Sequence, residues 1–292
     1  MKHLPKFRKE FKIDRKADLR EVAVAVDAIY DAIEISTGYL GDIEPENGSA
    51  GFRIHSLLNL LGRIFEHAQA MLVAVATGSP ASAEALARIV VEGSMNVMYL
   101  ATLGDARTLI EFFESWLTEH DRKLTKWKER IQGEDYADKV SSMIEARRGV
   151  IVGLESYLRH IEEECSIDKT TKEAEWPRSL LKRFEALRRE TDYYESYHRL
   201  SGASHITGED TLTWLVSLNV PADQRHRMGV EAWAYSIMMT RIASRFFVEA
   251  VASCAIAYGR SENEDLQKSR RALAEAAHSI AKKAGVPIEA ER

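Results

Sequence analysis

An all-α fold, a multi-helix bundle with one central apolar helix, is what this sequence predicts, and three observations predict it. Prolines are scarce, six in 292 residues, so few points along the chain forbid a helix. Long runs place apolar residues three and four apart, the spacing that gives a helix one apolar face. Alternating apolar and polar runs bounded by turn residues, the mark of half-buried strands, are missing from the sequence.

The first sixteen residues, "MKHLPKFRKEFKIDRK", read as a basic arm. Residues 1–20 hold eight Lys or Arg against three Asp or Glu, a balance of +5 in a chain whose net charge is −5, so the remainder sums to −10. Leu4, Phe7 and Phe11 make an apolar stripe on it. The arm either touches RNA or an acidic partner, or docks as a terminal helix on the acidic body.

Residues 17–260 are expected to form the bundle domain. A helix over Ala17–Tyr39 presents Leu19, Val22, Val26, Ile29, Tyr30 and Ile33 on one face, and "GDIEPENGSAG" then makes a loop. The next helix spans Phe52–Ala76. "TGSPAS" breaks it, with Gly78 as a C-cap and Pro80 in the first turn of a third helix that ends near Leu103. Asp105–Ile131 and Tyr136–Cys165 follow as helices with polar outer faces, and "SIDKTTKEAEW" reads as a mobile linker. Shorter helices cover Pro177–Arg189, Thr191–Ile206 and Glu209–Leu218. The most apolar helix runs from Gln224 to Tyr258. Glu231, Arg241, Arg245 and Glu249 interrupt it, so it reads as the centre of the bundle and not as a membrane span. Residues 261–292 supply a C-terminal amphipathic helix, packed or exposed, that stops at Gly285.

Composition excludes several classes. Two cysteines, Cys165 and Cys254, show neither a pairing pattern nor metal-ligand spacing, which favours a reducing cytoplasm. The N-terminus is positive but lacks the apolar run of a secretory signal. An acidic chain gives nucleic acid no overall support. No nucleotide loop, zinc pattern or serine elbow occurs. No cofactor, no metal and no membrane partner is expected.

Three polar constellations stand out. The turn at Gly78–Pro80 brings Glu66 and Glu92 to about the same height on facing helices, and Arg88 lies one turn before Glu92. Arg88 and Glu92 form a clasp inside the bundle, or Glu66 and Glu92 with His67 hold a metal or share a proton. In "YYESYHRLSGASHITG", Tyr194, His198, Ser201 and His205 fall on one helical stripe. With Gly202, Ala203 and Ser204 beside it, the stripe is a close packing seam or an active site. Glu195 and His198 also match the carboxylate–histidine spacing of di-iron bundles. Their would-be partners Glu275 and His278 lie off the face marked by Leu273, Ile280 and Ala284, so no di-iron site is expected. The third constellation is Arg241, Arg245 and Glu249, spaced by fours. Arg245 and Glu249 pair at the surface, or one Arg turns inward to balance Glu66 or Glu92.

"ARIVVEGSMNVMYL", followed about a hundred residues later by "YESYHRLSGASH", resembles an all-helical bacterial family catalogued as a domain of unknown function. Its Arg-x3-Glu helix corresponds to Arg88 and Glu92, and its Tyr-x3-Ser-x3-His helix to Tyr197, Ser201 and His205. The resemblance covers roughly Ala17 to Trp214. A second similarity links "RLSGASH" to the Arg-x4–6-His motif of HEPN-type ribonucleases. It implies that Arg199 and His205 act on an RNA phosphodiester without metal. Leu200 stands where that family usually has a polar residue.

Three functions are therefore weighed. The first is a non-catalytic interaction or accessory protein. The second is a HEPN-like ribonuclease of a toxin or phage-defence type, the one reading that brings RNA as a partner. The third is a small-molecule or metal site around Glu66, Glu92 and His205. A homodimer is compatible with each.

Overall fold

The computed structural model describes residues 1–41, 48–167, 175–203, 208–261 and 263–286. Among these, every regular element is a helix. In chain order they are α1 (Leu4–Glu10), α2 (Arg20–Gly41), α3 (Ser49–Ala76), α4 (Pro80–Thr102), α5 (Ala106–Arg130), α6 (Ala137–Glu164) and α7 (Leu180–Ala186). Then α8 (Glu190–Asp192), a π-helical segment (Tyr193–His198) and α9 (Arg199–Ala203) run on without a break. The last three are α10 (Gly208–Leu218), α11 (Ala222–Ala257) and α12 (Glu264–Ala281). The fold is all-α, a multi-helix bundle. No helix among the described residues is long and apolar enough to cross a membrane. Residues 168–174, most of the expected linker, lie outside the described residues.

Contacts group the chain into two compact units. The first comprises Met1–Ile43, Leu57–Thr102 and Ser179–Arg292, and so takes in both the basic arm and the C-terminal helix. At its centre α11 packs against α4, α12 and α2. Phe246, Phe247, Met239 and Val251 fill the core from α11, while Ala243, Ser244 and Ala250 keep its surface low enough for close neighbours. Leu57, Leu61, Met71 and Leu72 of α3 are fully buried. Where α3 meets α4, a Cβ on Gly93 would lie 2.8 Å from Ile64 Cγ1, so the two backbones approach only because residue 93 has no side chain. Gly78, at φ +81°, ends α3 as a left-handed cap, and the Ser79 amide donates back to Ala74 O at 2.8 Å.

The basic arm is docked. Phe7 is fully buried, edge-on to Tyr30 of α2. Around it Lys2 pairs with Asp31 at 3.0 Å, Lys6 with Glu34 at 3.3 Å, and the N-terminal amine with Asp27 at 3.4 Å. The Tyr30 hydroxyl donates to Glu10 at 2.6 Å and accepts from Gln69 of α3 at 2.8 Å, which ties three helices together. Charge and apolar anchor thus act together, the acids of α2 meeting the cations of the arm.

The second unit comprises Glu44–Ser56 and Leu103–Arg178. Its body is the α5–α6 hairpin. Leu117, Leu124 and Ile131 face Ile144 and Ile151, with Leu158 packed against them. The sevenfold spacing on both helices is that of a coiled-coil seam. Asp105 caps α5 in a reciprocal box with Thr108, at 2.7 Å from its amide. The buried carboxylate of Glu162 on α6 is met by Arg107 of α5, and Arg107 also reaches Glu114 at 3.2 Å.

Candidate functional site

The polar cluster forms where α4 meets the π-helical segment and α7, all in the first unit. Arg88 and Glu92 sit one turn apart on α4 and are half-buried. Tyr197, from the last turn of the π segment, reaches between them. Arg88 Nη2 donates to the Tyr197 hydroxyl at 2.9 Å, and that hydroxyl donates to Glu92 Oε2 at 3.1 Å. The guanidinium carbon of Arg88 also lies 4.9 Å from the centre of the Tyr197 ring. Burial pushes the Tyr197 phenol above its usual range, against the pull of Arg88 and with support from Glu92. The phenol is therefore kept protonated, and its proton is committed to Glu92.

Arg183 of α7 completes the cluster. It is only 8% exposed. Its Nη1 donates to Asn96 Oδ1, one turn beyond Glu92 on α4. Burial lowers the Arg183 pKa, and the negative charge of Glu92 opposes that shift. One carboxylate thus stands among two guanidiniums and a phenol. Such an arrangement fixes α7 and the π segment to α4 through charge-assisted bonds.

A second polar group lies nearby. Arg189 Nε meets Asp192 Oδ2 at 2.6 Å and Arg189 Nη1 meets Glu249 Oε2 of α11 at 2.6 Å. Arg245 joins Glu249 at 3.4 Å and Asp192 at 3.8 Å. The Arg189 guanidinium stacks 4.6 Å from the centre of the Phe246 ring. Burial lowers the Arg189 pKa, but Glu249 and Asp192 outweigh it, and the net shift is upward. Two cations and two anions balance here.

Several placements differ from the sequence-based expectation. Glu66 is exposed and pairs with Arg63 of its own helix at 3.0 Å, and His67 is exposed as well. Leu61, Ile64 and Ala68 claim the inner face of α3, which turns positions 63, 66 and 67 outward. Arg241 does turn inward, at 6% exposed, but its partner is Glu21 of α2 at 2.6 Å, with Ala276 O at 2.7 Å, and neither Glu66 nor Glu92. Arg245 pairs with Glu249, as its spacing suggests.

The proposed stripe also turns the other way. Tyr194 and His198 are exposed, and among the described residues of this stretch Ser196 and Leu200 are the buried ones. The segment is π-helical, with an extra residue in each hydrogen-bonded turn, so its faces do not continue those of an α-helix. His198 accordingly lies near both Tyr193, five residues back, and Tyr194. Ser201 is half-buried and donates back to Tyr197 O at 3.1 Å. Arg199 is exposed. His205 lies outside the described residues, as does Ser204, so the Arg199–His205 pairing has no geometry here. Glu195, Glu275 and His278 are all exposed.

Sequence reasoning missed Arg183, Asn96, Arg189 and Asp192. Arg189 and Asp192 have an i,i+3 spacing that could have flagged them. Arg183 sits on a seven-residue helix too short to show a face. Among the described residues, His3, Asp31 and Glu34 are the one group with ligand atoms close enough for a metal, within 4.8 Å of one another. The Lys2 and Lys6 amines already occupy those carboxylates.

No curated protein and no solved structure matches the chain. Residues 55–216, more than half of the sequence, match a family described as a family of unknown function, DUF5677, and the match includes Arg88, Glu92, Tyr197 and Ser201. The chain therefore belongs to that family of unknown function.

Proposed function

We propose that this chain is a non-catalytic helical interaction protein, and that the Arg88–Tyr197–Glu92 cluster is a clasp that holds its scaffold. One observation carries the reading. The hairpin made by α10 and the start of α11 exposes Leu212, Trp214, Leu215, Val216, Leu218, Val230 and Trp233. Large apolar side chains gathered on one exposed element mark an interaction surface. The hairpin corner is well made, which supports a built surface over a frayed end. Arg225 of α11 donates to Ser217 O at 2.8 Å and to Leu218 O at 3.3 Å, satisfying the last carbonyls of α10. Meanwhile the groups of the polar cluster bond to one another.

Thermal unfolding of Arg88→Ala and Tyr197→Phe tests the clasp. Both variants are expected to melt below wild type. Unchanged melting with loss of some activity of the wild type would turn the cluster into a working site. The ribonuclease reading is attached to Arg199, whose exposure is what a phosphate contact needs. Metal-independent RNA cleavage that disappears in Arg199→Ala, at unchanged stability, would replace the interaction reading with it.

A further inference from the structure

We infer that the partner of the exposed hairpin is a second copy of this chain, the α10–α11 corners of two copies packing about a twofold axis. The inference rests on the interaction reading above and names its partner.

Area argues for it first. Leu212 is 63% exposed, Trp214 60% and Trp233 37%. With Leu215, Val216, Leu218 and Val230 they leave roughly 700 Å² exposed over the hairpin as a whole, spread over several faces of α10, so one face carries part of that area. A standard interface takes about 800 Å² from each partner, so a pair of copies would bury an apolar face of the hairpin together with its polar rim.

Charge argues for it next. The charged residues on the outer part of α11 are Asp223, Arg225, Arg227 and Glu231, two of each sign, with Gln224 and His226 among them. Arg225 is spent on the corner, and Arg227 lies 3.7 Å from Asp223 on its own helix. The segment "GEDTLTWLVSL" of α10 has no Lys or Arg at all. Such a surface offers nothing to a nucleic-acid backbone or to an anionic membrane, both of which select clustered cations. An apolar patch whose rim carries both signs, acidic overall once Glu209 and Asp210 are counted, can face itself in an isologous contact. Two tryptophans ringed by leucine and valine also match the aromatic-rich, charge-poor centre of a protein interface.

Continuity argues for it last. The outer part of α11 belongs to the same uninterrupted helix whose inner part is the core of the first unit. The patch is therefore carried on a rigid support. A second hairpin would give it the helix-on-helix packing that α4 and α12 give the inner part.

Sedimentation of the full chain at micromolar concentrations tests the inference. Wild type should sediment as a dimer. The double variant Trp214→Asp, Trp233→Asp should be monomeric at the same concentrations with unchanged helicity. Val150→Asp, at an exposed apolar position of α6, should remain dimeric. Should the double variant lose helicity, the single variant Leu212→Lys should still weaken association at least tenfold. A monomeric wild type overturns the inference, and so does a dimer that persists in both hairpin variants. A monomer that floats with phosphatidylcholine vesicles overturns it too, and assigns the hairpin to lipid. In each of these outcomes the clasp reading still stands or falls separately, on the melting of Arg88→Ala and Tyr197→Phe.

Discussion

From Ala234 to Ala257, α11 is packed by neighbouring helices and seventeen of its side chains are buried, whereas from Ala222 to Trp233 the same helix has none. The backbone does not change between these two parts. Composition does change, with four charged side chains in the outer twelve residues against three in the twenty-four that follow, yet Met228, Val230 and Trp233 would suit a core. What differs is how many neighbours the described residues supply. A helix of a dozen residues is marginal in water on propensity alone, so the outer part is held by the buried part and by its α10 corner. The inner part is core for this molecule, and the outer part is the surface that the proposed dimer would bury.

Truncations at matched aromatic positions should separate the two parts most widely. Phe247 is fully buried, with its ring 6.1 Å from that of Phe65. Phe247→Ala is expected to cost about 3–5 kcal/mol in chemical unfolding. Trp233→Ala, measured where the chain is monomeric, should cost less, about 1–2 kcal/mol, because that residue is 37% exposed. Equal losses at both positions would show the outer part to be core.

Next in size is Arg241, the buried cation of the inner part. Its removal strips bonds from Glu21 and from the Ala276 carbonyl. Because Glu21 is half-exposed, Arg241→Ala should cost about 2–3 kcal/mol, less than breaking a fully buried pair. Arg241→Met, which refills the space, should cost less than Arg241→Ala. The reverse order in urea midpoints would mean that charge, not volume, matters there.

Tyr197→Phe removes the bridging hydroxyl of the clasp and leaves the ring. A hydrogen bond to a charged, half-buried partner suggests a loss of about 1–2 kcal/mol. A melting temperature equal to wild type would place the clasp with the surface and not with the scaffold.

The smallest effect is on pH. Burial raises the Tyr30 and Tyr197 phenols above their usual range near pH 10. The folded chain then keeps protons that the unfolded chain has already lost. Stability from these groups is complete below pH 10 and falls as pH rises above it. The melting temperature should decline on that alkaline side, and Tyr197→Phe should flatten part of the decline. A flat profile in wild type would contradict the burial of both phenols.

How much of this was legible in the sequence depends on what each residue answers to. The apolar run of α11 was plain, and so were Gly78 and the start of α4 at Pro80. Arg88, Glu92 and Tyr197 could be grouped because they fall on the two stretches that carry the family resemblance. Arg183 could not, because it sits on a seven-residue helix with no periodicity of its own, whereas Arg189 was legible only through its i,i+3 spacing to Asp192. The inward turn of Arg241 was readable as an option, but its partner Glu21 lies 220 residues away, and no spacing reports that. The π segment was hidden as well, since hydrogen-bond register within a helix leaves no compositional mark. The division of α11 was least visible. Apolar residues meant for a neighbour in the same chain and for a neighbour in another look alike in one sequence.

Hydrogen exchange along α11, followed over a range of protein concentrations, tests the central claim most directly. Amides of Ala234–Ala257 should be protected at every concentration. Amides of Ala222–Trp233 should exchange quickly in dilute protein and gain protection as concentration rises and two hairpins meet. Fast exchange of the outer part at all concentrations would contradict the account, and so would strong protection of it in the dilute monomer.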